Sequence, residues 1–209
     1  NVSTLGTMRT RIAREMKRGD ILATDASVID AIVSAIGFYE NERFFFNEFK
    51  DESFSAVAST AYQTLTITPV IIDSVKALIG TRDYPLISKT WGELDAIDSG
   101  QFEGYPDFYA WHSSELRLYP PPNDSYTIKV AGVKILTEVS VSATNATSNA
   151  WTTDAKDMIR LHAKSVLWRD ELRNMDTSKQ FMEAAIFERA SLKRRTTRLT
   201  GSGKLRGSF

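Results

Sequence analysis

The chain has 209 residues, 42% hydrophobic and 25% charged, which suits one folded domain or one domain with appendages. Lysine plus arginine number 26 and aspartate plus glutamate 26, so the formal net charge is zero; no cysteine occurs, which excludes a disulfide framework and a cysteine-ligated metal site. No apolar run approaches the roughly 20 residues of a membrane span, and the N-terminus lacks the apolar stretch of a signal peptide. An opening at Asn1 rather than Met is read as trimming, processing or disorder at the front.

Thr4 or Ser3 can cap a first helix whose apolar positions Leu5, Met8, Ile12 and Met16 recur at helical spacing, with Gly19-Asp20 as its stop. A second helix is predicted from about Asp25-Ala26-Ser27, burying Ile29, Ile32, Val33, Ile36 and Tyr39. Both stripes read as narrow, so each helix is expected to pack on one side and expose the other. After Glu42 the pattern turns strand-like. Phe44-Phe45-Phe46, Phe49 and Phe54 sit among polar residues, and Tyr62, Leu65 and Ile67 continue in rough alternation.

Ile71 to Ile79, the turn Gly80-Thr81-Arg82-Asp83 and Tyr84 to Ile87 read as a hairpin. Thr90 with Glu93 forms a capping box for a short helix from Trp91 to Ile97, closed by Ser99-Gly100. Strands at Phe108 to Trp111 and Leu116 to Tyr119 flank a polar turn, Pro120-Pro121-Pro122 is a break, and Tyr126 to Leu136 alternates as a last long strand. The Ser/Thr/Asn-rich stretch over residues 139–149 has little to bury and is the best candidate for a mobile or partner-contacting segment.

Thr152-Thr153-Asp154 is predicted to start a third long helix, with Met158, Ile159, Ala163, Val166, Leu167 and Leu172 inward. A fourth, from about Thr177 to Arg195, places Phe181, Ala185, Ile186 and Leu192 on its apolar side. The expected fold is therefore α+β: a helical bundle of two N-terminal and two C-terminal helices with a β-rich middle segment and an extended C-terminal arm. The helical parts are placed at 4–42 and 153–198 and the β-rich insert at 43–138. Together they make one domain over 1–198, followed by the arm at 199–209.

Charge is unevenly placed. Residues 1–19 carry five basic groups and one acid, residues 20–110 carry fifteen acids and five bases, and residues 189–209 carry seven bases and no acid. One reading is solvated basic faces at the helix ends. The other is complementarity between an acidic middle and basic ends, within a subunit or between copies.

Chemistry-bearing constellations are scarce. His112 and His162 have no metal-ligand neighbours at useful spacing, and no phosphate-loop, dinucleotide, zinc-protease or nucleophile-elbow motif occurs. Gly201-Ser202-Gly203-Lys204 lies at the chain end, with no following helix to complete a phosphate cradle. The carboxylate pairs Glu93/Asp95 and Asp154/Asp157 begin helices, where the helix dipole accounts for them. The phenylalanine cluster is interleaved with Glu40, Glu42, Glu48, Asp51 and Glu52, which favours core and intersubunit packing over base stacking. No catalytic, cofactor-binding or metal-binding residue is assigned, and no cofactor is expected.

Several segments, in order, resemble one family: Thr4-Leu5-Gly6-Thr7-Met8-Arg9-Thr10-Arg11-Ile12-Ala13-Arg14-Glu15-Met16, Asn41-Glu42-Arg43-Phe44-Phe45-Phe46-Asn47-Glu48, Trp91-Gly92-Glu93-Leu94-Asp95, Leu116-Arg117-Leu118-Tyr119-Pro120 and Asn149-Ala150-Trp151-Thr152-Thr153-Asp154. On these the chain resembles the head–tail adaptor (connector, or tail accessory) proteins of tailed bacteriophages, especially short-tailed ones. The resemblance implies a structural, non-enzymatic virion protein at the head–tail interface, assembled in the host cytoplasm. It implies a homo-oligomeric ring, typically of twelve subunits, which joins the portal protein to tail or nozzle proteins and extends the DNA channel. Duplex DNA would pass without sequence-specific contact, and no membrane is involved.

The C-terminal arm, from Leu199 to Phe209, is then expected to order on the portal, with Leu205 and Phe209 as apolar anchors and Lys204 and Arg206 as charge partners. Arg194, Arg195 and Arg198 are the candidates for facing the DNA channel or an interface. Two rival readings are a DNA-binding module using the basic termini and an enzyme with an unrecognised site, such as a cell-wall hydrolase.

Overall fold

A computed structural model of the chain describes residues 4–17, 26–98, 102–136, 146 and 148–200. In chain order the elements are α1 (Leu5–Met16), α2 (Ala26–Tyr39), β1 (Glu48–Ser55), β2 (Tyr62–Thr64), β3 (Pro69–Ile79), β4 (Arg82–Pro85), β5 (Ile87–Ser88), α3 (Trp91–Ile97), β6 (Phe108–His112), β7 (Glu115–Tyr119), β8 (Thr127–Lys134), α4 (Ala150–Thr153), α5 (Lys156–Asp170) and α6 (Met175–Leu199). The fold is mixed α and β, with six helices and two sheets among the described residues. Two compact units divide the chain: a helical unit, Asn1–Asn47 with Leu136–Phe209, and a β unit, Glu48–Ile135.

In the helical unit α1 begins where the sequence places it. Thr4 and Thr7 form a reciprocal capping box, and Lys17 closes the helix in the left-handed region at φ 53°. Leu5, Met8, Ile12 and Met16 are all buried, as their spacing requires. The stripe on α2 is broader than expected, because Val28, Ala31 and Ala35 join Ile29, Ile32, Ile36 and Tyr39 inside. This helix packs on both α1 and α5, and two neighbours need two flanks of one helix.

The third long helix departs from its predicted start. Asn149 and Thr152 form a capping box over the single turn α4, the helix is interrupted at Asp154-Ala155, and α5 begins at Lys156. The break lets Trp151 sink to 1% exposure. The fourth long helix is longer than predicted. Asn174 caps it by accepting from Thr177 N at 3.0 Å, and it continues to Leu199.

Phe44, Phe45 and Phe46 do not form a strand; they turn, and the first strand starts at Glu48. Phe44 and Phe46 stack in parallel with centroids 5.2 Å apart, and Trp151 meets both edge-on at 5.8 and 5.0 Å. Three consecutive rings cannot alternate across a pleat, and burial against the helices overrides their β propensity.

The β unit holds two four-stranded sheets, β1-β8-β3-β4 and β2-β7-β6-β5, antiparallel throughout except for the parallel β5–β6 pair. Val75, Ala77, Ile128 and Val130 from one sheet share a core with Tyr109, Leu116 and Leu118 from the other. The predicted hairpins form, with Gly80 at φ 63° in the first turn. β1 is bulged between Phe49 and Glu52, where Asp51 takes φ 53°. Gly132 lies where β3 shifts register against β8, and a Cβ there would meet the Ile71 carbonyl oxygen at 2.0 Å. Only glycine lets the two backbones approach so closely.

Candidate interaction surface

Helix α6 has 25 residues, and its buried positions Ser178, Ala185, Leu192 and Thr196 form a narrow line. Such a line leaves most of the circumference for polar contacts or for a partner. Its N-terminal half is tied down by Ser178 Oγ, which donates to the Ser165 carbonyl at 2.9 Å, and by Lys164 Nζ, 4.1 Å from the Phe181 ring centre.

The C-terminal half is held by its basic residues. Arg189 Nε donates to Glu42 at 2.9 Å, and Lys193 Nζ lies 2.9 Å from the same carboxylate and donates to the Arg43 carbonyl at 2.9 Å. Lys193 sits 4.6 Å from the centre of the Phe44 ring, and the Arg195 guanidinium lies 4.3 Å over Phe45 with Asp154 at 3.7 Å. Phe45 N donates to Thr196 Oγ1 at 3.0 Å. Burial opposes ionisation of Glu42, but the hydrogen bonds and charges of Lys193 and Arg189 outweigh it and hold the carboxyl below its usual range. Part of the basic C-terminal run thus meets an acid from the acidic middle inside one subunit.

A second carboxylate hub sits on α1. Glu15 accepts from Arg11 Nε at 2.8 Å, from Lys164 Nζ at 2.9 Å and from Arg160. Burial again works against its charge, yet these three cations bring its pKa down to about 2. Asp157, in the first turn of α5, lies 3.1 Å from Arg160 and 3.6 Å from Arg11. In the β unit Arg117, its side chain 4% exposed, donates to Asp98 at 2.9 Å and to Asp95, and lies under the rings of Tyr62 and Trp91 at 5.5 and 5.6 Å. Asp95 is therefore a partner for Arg117, while Glu93 makes the cap on Thr90.

The residues expected to face a channel or interface, Arg194, Arg195 and Arg198, are all exposed on α6; Arg195, its side chain 55% exposed, also lies over Phe45. Leu199 is the last helical residue and is 61% exposed. Lys204, Leu205, Arg206 and Phe209 lie outside the described residues, as does most of the 139–149 stretch. Ile186, expected inside, is 48% exposed, and its neighbour Phe187 is 67% exposed. The phase of α6 is set by Ala185, Leu192 and Thr196, which turns both away from the core. Sequence reasoning missed Phe187 altogether, although its step of seven to Arg194 would have put the two on one face.

The helical unit also carries a groove of about 210 Å³ between α2 and the end of α5. Ala31, Val166 and Leu167 line it together with Ser27, Ser34, Asp30, Asp170 and Glu171. One turn further along α2, Phe38 stands 59% exposed and meets the His162 ring edge-on at 4.9 Å. His162 itself is buried, and its Nδ1 has no hydrogen-bond partner among the described residues. Burial, with the Arg169 charge added, lowers its pKa. His112 ends β6, its ring 6.5 Å from that of Trp91. No group of three or more His, Cys, Asp or Glu among the described residues is placed to hold a metal ion, and no helix among them is long and apolar enough to cross a membrane.

The helical unit thus combines paired charges and stacked rings within the subunit with exposed apolar residues on its helices. A comparison with curated proteins finds no match. The SU10 adaptor protein family, in contrast, matches residues 3–206. With nearly its whole length covered, the chain belongs to the SU10 adaptor protein family, a family of phage head–tail adaptors.

Proposed function

We propose that this virion protein forms a ring of copies, twelve in the family pattern, that joins the portal to the tail or nozzle proteins and extends the DNA channel. The observation that carries the reading is the family match over residues 3–206. A structural adaptor family implies a non-enzymatic role, and the exposed apolar and basic faces of the helical unit supply surfaces for partners. Helices rather than strands would make the ring contacts, each with one face of a subunit meeting a different face of the next.

The portal would be gripped by the arm from Leu199 onward, through Leu199, Leu205 and Phe209 with Lys204 and Arg206 as charge partners. Its glycines Gly201, Gly203 and Gly207 give reach, and its lack of acids suits an acidic groove. Assembly would take place in the host cytoplasm. Electron microscopy of portal vertices incubated with the full chain and with a chain ending at Arg198 tests this. A ring with the full chain, and bare vertices with the truncated one, is the expected pair of results. Equal decoration by both would remove the arm's role, and no ring with either would remove the adaptor reading.

A further inference from the structure

We propose that the outer face of α6 docks on the α2–α5 groove of a second copy of this chain, Phe187 settling beside Phe38 and Arg194 and Arg198 meeting Asp30 and Glu171. The inference rests on the ring reading and names the two faces that meet.

The outer face of α6 carries Glu183, Phe187, Ala190, Ser191, Arg194 and Arg198, all exposed and opposite its buried line. The apolar centre and the basic end are therefore on one surface. The groove on α2 and α5 offers the counterparts in matching order. Phe38 is exposed beside Gly37, where a Cβ would meet nothing within 4 Å, and the small Ser34 follows one turn back. Asp30 and Glu171 line the groove and are exposed, and Asp170, which also lines it, is already bonded to Arg169 at 2.6 Å.

Spacing supports the match. At about 1.5 Å per residue, Phe187 lies roughly 10 Å along the axis from Arg194 and roughly 16 Å from Arg198. On the same scale Phe38 lies roughly 12 Å from Asp30. A helix laid antiparallel along α2 thus brings ring to ring and cation to carboxylate together, over an apolar floor of Ala31, Val166 and Leu167. The two faces differ, so the contact is heterologous and leaves each copy with one free face of either kind. Repetition then closes a ring or extends a filament.

Charge reversal tests the docking. One chain carries Arg194→Glu with Arg198→Glu, and another Asp30→Lys with Glu171→Lys; all four positions are exposed, and circular dichroism checks that each chain is folded. Sedimentation across a concentration series is expected to find self-association of each reversed chain weakened at least about tenfold relative to wild type. An equimolar mixture should associate again, because the acidic α6 of one fits the basic groove of the other and the unaltered pair still fits. Undiminished association of either reversed chain overturns the docking and leaves the ring reading intact. So does a mixture that stays as weak as its components. Loss of duplex-DNA retention with unchanged association would give Arg194 and Arg198 to DNA instead. A wild-type chain that remains monomeric at every concentration overturns the docking, while the ring reading stands or falls on the decorated vertices.

Discussion

In the helical unit one carboxylate gathers several cations, Glu15 with Arg11, Arg160 and Lys164, and Glu42 with Arg189 and Lys193. In the β unit the signs are exchanged, and the single guanidinium of Arg117 gathers Asp95 and Asp98. Both arrangements spare a largely buried charge the cost of standing alone. They differ in what acid does to them. Acid discharges the hub itself in the first arrangement and the two partners of the hub in the second, where Arg117 stays charged. The two units also expose different apolar groups: Phe38, Ile186 and Phe187 on helix faces in one, and Tyr62, Tyr84 and Ile87 on strands with Val57, Phe102 and Tyr105 between them in the other.

The largest expected effect comes from Trp151→Ala. The ring is 1% exposed against the stacked Phe44 and Phe46, and its loss should cost about 3–5 kcal/mol in urea denaturation. Hydrogen exchange should locate the lost protection in helical-unit peptides, with β-unit peptides unchanged. Equal loss in both would mean that the units unfold as one. Next is Glu15→Gln, which should cost about 1.5–3 kcal/mol at neutral pH. Glu15 has a folded pKa lowered from 4.5 to about 2, so its contribution is full above about 4.5 and lost as pH falls through about 2. The wild-type stability curve should drop over that window and the variant's should be flatter; identical slopes would deny Glu15 its place as a hub.

Gly132→Ala probes the other unit. The added methyl must displace either the Ile71 backbone or β8, at about 1–3 kcal/mol, with the protection loss confined to β-unit peptides. The smallest effect belongs to His162→Leu. Because burial lowers the folded pKa of His162, the unfolded chain takes up the proton first. Its part of the stability is full above about pH 6.5 and is lost as pH falls through the folded pKa. The expected change is the smallest of the four, read as a shallower decline of the variant as pH falls below about 6.5. A variant that declines as steeply as wild type would remove His162 from the acid response.

Much of the local structure was legible because its causes are local. Thr4 with Thr7 and Thr90 with Glu93 cap helices through groups three residues apart, and the turn at Gly80 sits between alternating runs. Where the reading slipped, distant packing decided. Phe44 to Phe46 have strand propensity but turn to meet Trp151, more than a hundred residues away in sequence. The helix predicted from Thr152 is broken at Asp154-Ala155, where burial of Trp151 takes precedence over continuity. Ile186 was placed inside on spacing alone, since a step of one residue from Ala185 is a turn of only about 100°.

The sequence by itself determined the α+β order, most helix starts, the hairpins and the family resemblance, since these depend on short-range periodicity, capping and the order of segments. Tertiary structure alone decided which basic residues of α6 are consumed within the subunit. Arg189 and Lys193 reach Glu42 across some 147 residues of chain, and Arg195 covers Phe45, while Arg194 and Arg198 remain outside with Phe187. A run of positive residues on a helix has a fixed angular spacing but no fixed phase. Only the face that packs against α5 and the phenylalanine turn sets which charges hold the subunit together and which are offered to a neighbour.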